Sequence, residues 1–225
     1  MIETTTTDTP GNRLRAALWG GSASARLQAA LAAGTRPDGS YIEVLVERCG
    51  VEPDFFVRDM LTWALTRHDP ASTVKAVLPE LRSSSPQARS QALHTLSKIG
   101  DPKTAVAITV DLLHDDDTEV ARAAWRTAAG LVPHGGEARL AQELVGELGR
   151  GDRETQRSLS RALAVLGADV ESVIEDAARS ENEAVSAHAV ATLAIMADPD
   201  DGFDAAIAEA KRVVALGGAP AVREQ

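Results

Sequence analysis

Apolar positions return along this chain in a fixed order. Five stretches starting at Phe56, Ala88, Val120, Thr155 and Val185, spaced by 32, 32, 35 and 30 residues, carry the same skeleton. Four residues in stand Met60, Ala92, Ala124, Leu159 and Ala189, and beside them Leu61, Leu93, Trp125, Ser160 and Val190. Ala64, Leu96, Ala128, Leu163 and Leu193 follow, then Arg67, Ile99, Leu131, Leu166 and Met196. Steps of four, one, three and three trace one face of an α-helix and not the alternation of a strand. An Asp-Pro pair closes three of the stretches, at Asp69-Pro70, Asp101-Pro102 and Asp198-Pro199. Proline lacks the amide hydrogen a helix interior needs, so it ends one helix and opens the next.

This period divides the chain into helical hairpins. First helices are predicted over 40–49, 71–82, 103–114, 137–148 and 170–179, and second helices over 53–67, 86–99, 118–131, 153–166 and 182–196. Ser40 with Glu43 and Ser180 with Glu183 have the spacing of a capping box, and Ser85 before Pro86 reads as a cap followed by a preset first helical residue. Ahead of the repeats, short helices are predicted over 13–18 and 24–33. The second of these, SARLQAAL, echoes PQARSQAL at 86–93 and reads as a capping half-repeat. A closing helix is predicted over 203–216, where Lys211 and Arg212 suit the carboxyl end. Such caps shield the apolar faces of the end repeats from water. The expectation is an all-α fold, an α-solenoid of about five helix pairs. It forms one domain over 13–217, with disordered tails at 1–12 and 218–225.

Composition narrows the setting. Hydrophobic residues make up 44% of the chain but aromatic residues only 3%, so small side chains, alanine above all, must let the helices approach closely. The single cysteine, Cys49, excludes an intrachain disulfide and reads as a small buried apolar residue in a reducing compartment. No apolar run approaches the ~20 residues of a membrane span. The threonine-rich stretch 1–12 lacks the basic and apolar segments of a secretory signal. A soluble cytoplasmic protein is expected, and few lysines beside many alanines point to a GC-rich bacterial genome. The net charge of −10 disfavours nucleic acid and anionic membrane at long range.

The same register aligns exposed positions. One column holds Arg58, Ser90, Arg122, Arg157 and Ala187, and a second, four residues on, holds Thr62, His94, Arg126, Arg161 and Ala191. Residues four apart share a helix face. Arg58, Arg122, Arg126, Arg157 and Arg161, joined by Arg89 and His94, therefore read as a cationic stripe along the second helices, while the first helices carry the acids. A guanidinium holds a carboxylate or phosphate through two parallel hydrogen bonds, so the stripe points to an acidic segment of another protein. The competing reading is local pairing, Glu119 with Arg122 and Glu154 with Arg157, each three residues apart. Trp63 falls among Thr95, Thr127, Ala162 and Thr192, a flank position from which it either anchors a partner or packs against the amino-terminal cap. Trp125 and Trp19 read as packing residues. Phosphate loops, a nucleophile elbow and metal-ligand spacings of Cys or His are absent from the sequence, so neither catalysis nor a cofactor or metal is expected.

The second helices, above all Ala88-Arg89 with Ala92-Leu93, Leu96 and Ile99-Gly100, resemble the HEAT-repeat family, and more closely the short HEAT-like repeats of phycobilisome lyases. Stretches such as ERCGVEPDFFVRDMLTWALTRHDP also resemble HEAT units associated with MerR-type bacterial regulators. The resemblance implies a right-handed superhelix whose second helices line a concave surface, and a scaffold that binds other proteins. It also leaves a nucleic-acid alternative. HEAT-like alkylpurine DNA glycosylases place tryptophans and an aspartate in a basic cleft, which Asp59 and Trp63 resemble, although a second such tryptophan is missing. Linear tetrapyrrole handling, as in the lyases, is a third reading.

Overall fold

The computed structural model describes residues 9–197, which form helices and turns without a strand. They divide into two compact units, one ending at Ala107 and one beginning at Ile108. The predicted closing helix, both outermost tails and Asp198-Pro199 lie outside the described residues.

In the first unit, α1 (Pro10–Trp19) and α2 (Ala23–Thr35) precede α3 (Ile42–Cys49), α4 (Phe55–Thr66), α5 (Pro70–Val77) and α6 (Pro86–Ile99). Residues 10–12, expected in a tail, are instead the first turn of α1, capped by the Thr9 side chain. The first helices of the repeats begin or end in tight 3-10 turns, Gly39–Tyr41 before α3 and Leu78–Arg82 after α5. Second helices pack in series, α2 on α4 and α4 on α6, with α3 against α5 behind them.

The second unit holds α7 (Val110–Leu113), α8 (Thr118–Leu131), α9 (Glu137–Val145), α10 (Arg153–Val165), α11 (Glu171–Ala178) and α12 (Glu183–Ala197). Here α8 packs on α10 and α10 on α12, while α9 lies against α11. Each unit is thus layered as an α-solenoid. The helix expected over 103–114 is broken into a 3-10 segment, Pro102–Ala107, and the single turn of α7. Val106, Ile108, Thr109 and Val110 are β-branched, and such side chains lose rotamer freedom in a helix.

Capping residues fix the repeat register. Asp54, Ser85, Asp117, Asp152 and Asn182 each accept a hydrogen bond from the amide three residues on, satisfying donors that a helix start leaves orphaned. Counted from these caps the intervals are 31, 32, 35 and 30 residues, so the first repeat is shifted by one from the apolar alignment. Val57, Leu61, Thr62 and Leu65 are buried, and Phe56, the expected core residue, is 71% exposed. His68 is buried in place of Arg67. Two predicted capping boxes are also replaced. Asp38 accepts from the Ser40 amide and hydroxyl, and Asn182 caps α12 while the Ser180 hydroxyl accepts from the Asn182 amide.

One buried column needs small side chains: Ala64, Thr95, Thr127, Ala162 and Thr192. The three threonine hydroxyls donate to the carbonyl four residues back, at 2.8, 2.7 and 2.8 Å, so no polar group is stranded there. Beside it His188 is fully buried in α12. Its Nδ1 accepts from the Gly149 amide at 3.0 Å, which places the ring proton on Nε2, 2.9 Å from the Gln156 carbonyl. Burial pushes its pKa down from 6.5 to about 4. A histidine that resists protonation when folded contributes stability that is complete above pH 6.5 and is lost as the pH falls toward 4. Urea melts should therefore show about 2 kcal/mol less stability at pH 5 than at pH 7 from this group. His188→Gln should flatten that slope, and an unchanged slope would contradict the assignment.

Candidate functional site

The cap-based register sorts the predicted arginines into two roles. Arg58 and Arg89 each stand four residues after a cap, as does Arg26 after Ser22. All three turn back onto the loop before their helix. Arg58 Nη1 donates to the Glu52 and Pro53 carbonyls at 2.9 and 2.8 Å, Arg89 Nη1 to the Ser83 carbonyl at 2.9 Å, and Arg26 Nη1 to the Gly21 carbonyl at 3.1 Å. Gln156 reaches the Gly149 and Gly151 carbonyls from the same position in α10. This position seals interhelix turns, and Arg58 and Arg89 leave the proposed stripe for that reason.

With the shift applied, Asp59 and Trp63 take the places expected of Arg58 and Thr62. Trp63 lies on the cap: a Cβ added to Gly34 of α2 would meet its ring at 2.3 Å. The ring is 38% exposed, and His94, in the equivalent place on α6, is half-buried. The other tryptophans do not join them. Trp19 sits under the Arg15 and Arg48 guanidiniums at 4.9 and 5.3 Å, and Trp125 is fully buried with its indole N–H donating to the Leu113 carbonyl. The three tryptophans therefore do not gather around Asp59.

Arg122, Arg126, Arg157 and Arg161 all lie in the second unit, at matching positions on the packed helices α8 and α10. Arg122 is half-buried and bridges two carboxylates, Nη1 to Glu119 at 2.9 Å and Nη2 to Glu154 at 2.7 Å. Desolvation works against its charge, but Glu154 and Glu119 outweigh it and raise the pKa above the ordinary value. Arg126 is exposed, and its Nε donates to the Arg122 carbonyl at 3.2 Å. Desolvation, and after it the Arg122 charge, lower its pKa, while the Glu119 carboxylate works the other way. Arg157 and Arg161 are exposed and form no ion pair among the described residues. Glu154, the expected partner of Arg157, has turned to Arg122.

Two charge networks lie outside the predicted stripe. Glu52 is inaccessible to solvent and receives hydrogen bonds from Arg26, Arg48 and the Asp54 amide. Burial alone would raise its pKa, yet these donors bring it down to about 2. In the second unit Glu147 holds His114 and Arg150, and Arg150 also donates to the Asp115 carbonyl. Both networks tie neighbouring repeats together, and a spacing near the repeat length was their only signal. Burial pushes the Cys49 thiol up to about 12, which leaves it unreactive. Among the described residues no group of three or more His, Cys, Asp or Glu has a metal-holding arrangement, and no helix is long and apolar enough to cross a membrane.

Residues 42–130 match the HEAT-repeat family. The HEAT match takes in Arg122 and Arg126, while α10 with Arg157 and Arg161 lies beyond it. No curated protein matches the chain. Among solved structures, it is similar to an engineered protein at 20% identity, covering 93% of this chain and 98% of that one, with a TM-score of 0.48. It is also similar to a designed armadillo repeat protein at 16% identity, covering 82% and 98%, with a TM-score of 0.41. HEAT repeats commonly mediate protein–protein interaction.

Proposed function

We propose that the second unit is a noncatalytic binding module whose α8–α10 face captures an acidic segment of a partner protein. The observation that carries this reading is the pair Arg157 and Arg161, exposed one helical turn apart without a counter-charge, with Arg126 exposed on the adjoining helix. Three planar guanidiniums on two packed helices suit successive carboxylates, each able to take two parallel hydrogen bonds. An acidic chain presents this face as a local exception to its net charge of −10, and within a Debye length of about 8 Å the local field governs. The commonest role of HEAT repeats, binding other proteins, points the same way.

The test is fluorescence anisotropy of a labelled oligoglutamate peptide against the full chain at low ionic strength. Wild type should bind, and the triple variant Arg126→Glu, Arg157→Glu, Arg161→Glu should lose at least about tenfold in affinity with unchanged helicity. Equal binding by both proteins contradicts the proposal. Tighter binding of single-stranded DNA than of the peptide would transfer the face to nucleic acid.

A further inference from the structure

Glu154 belongs to α10, yet its carboxylate is spent on α8. It and Glu119 stand two residues after the caps Asp152 and Asp117, the same place in successive repeats, and Arg122 holds both. Arg157 is the equivalent of Arg122 one repeat later. An analogous bridge from Arg157 to α12 would need an acid at 184, where the chain has Ala184. The repeat symmetry thus yields one arginine neutralised by its own protein and one without a partner.

The bridge is an imperfect accommodation. Glu154 is 74% exposed in its side chain and Glu119 69%, so both carboxylates are held at the rim of the arginine row, within reach of solvent. Arg122, by contrast, retains 17% side-chain exposure, and its Nε is buried without a hydrogen-bond partner. An unsatisfied buried donor lowers the net worth of the arrangement. A surface ion pair of this kind is weak enough for an external carboxylate to compete with it.

Resting on the binding role proposed above, we infer that Glu154 is an internal competitor for the arginine row: it occupies Arg122 with the same chemical group that an acidic partner would bring, and so restrains the affinity of the face.

The experiment is a double-mutant cycle on the full chain, read by anisotropy with labelled oligoglutamate. Wild type, Glu154→Gln, Arg122→Ala and the double variant are compared, each checked for unchanged helicity and melting. Glu154→Gln should bind about two- to fivefold more tightly than wild type, the worth of one exposed ion pair. In the Arg122→Ala background the same replacement should change affinity little, because the competition acts through Arg122. Glu154→Gln binding no more tightly than wild type overturns the inference and leaves the binding role standing. An equal gain in both backgrounds also overturns it, since Glu154 would then act only as a nearby negative charge. If wild type itself does not bind the peptide, the binding role falls and this inference with it.

Discussion

Replacing Glu52 by Gln should cost the first unit about 3–5 kcal/mol, because it leaves two buried guanidiniums facing a neutral amide. Arg26 and Arg48 retain only 13% and 10% side-chain exposure, so water cannot take over the role of the carboxylate. The loss reaches beyond one contact. Glu52 joins α2, through Arg26, to the end of α3, through Arg48, and accepts the amide of Asp54, the cap of α4. Three helices therefore lose their shared fixed point. The pH dependence identifies the cause. A carboxylate depressed from 4.5 to about 2 contributes stability that is complete above pH 4.5 and is lost as the pH falls toward 2. The difference between wild type and Glu52→Gln should be full at pH 7 and shrink below about pH 4. Urea unfolding of the full chain at several pH values measures it, and a cost under about 1 kcal/mol at pH 7 would mean that the guanidiniums find other partners.

Trp125→Ala should destabilise the second unit by a similar amount, about 3–5 kcal/mol. The ring is fully buried in α8, and its indole N–H donates to the Leu113 carbonyl at 2.8 Å, closing the short α7 against its partner. Alanine removes the largest buried side chain of the described residues and leaves that carbonyl unpaired. The four-residue α7 is shorter than any helix that is stable by itself, so its order rests on this packing. Trp125→Leu, which restores the residue that Leu93 supplies at the equivalent place in α6, should recover part of the loss. Denaturant melts report the stabilities, and amide exchange in Val110–Leu113 should quicken most in the alanine variant. Unchanged exchange there would separate α7 from Trp125.

How far the sequence could be read depended on what each signal encodes. Apolar spacing located α6 and α8 to the residue, because Ser85-Pro86 and Asp117 mark their starts and a glycine or a bulky Leu marks their ends. It misplaced α4 by one position, because Met60-Leu61 and Ala64-Leu65 are adjacent apolar pairs that satisfy either register. Only the bond from the Val57 amide to Asp54 decides between them. That single step moved Arg58 from the binding row into the turn and brought Trp63 onto Gly34. The Arg157–Glu154 pairing was a sound expectation at three residues, but a contact 32 residues away, with Arg122, prevailed because the packing of α8 on α10 brings the two together. Glu52 was invisible for a related reason. A charged residue on a short loop reads as solvated until folding places two arginines from other helices around it.

The most direct test of the α8–α10 face locates the bound segment on the chain. An oligoglutamate peptide carrying a photoreactive group should, on irradiation with the full protein, label tryptic fragments from 118–131 and 153–165 and lose that labelling when Arg126, Arg157 and Arg161 are reversed to glutamate. Labelling concentrated in the first unit, or unaffected by the reversal, would contradict the account.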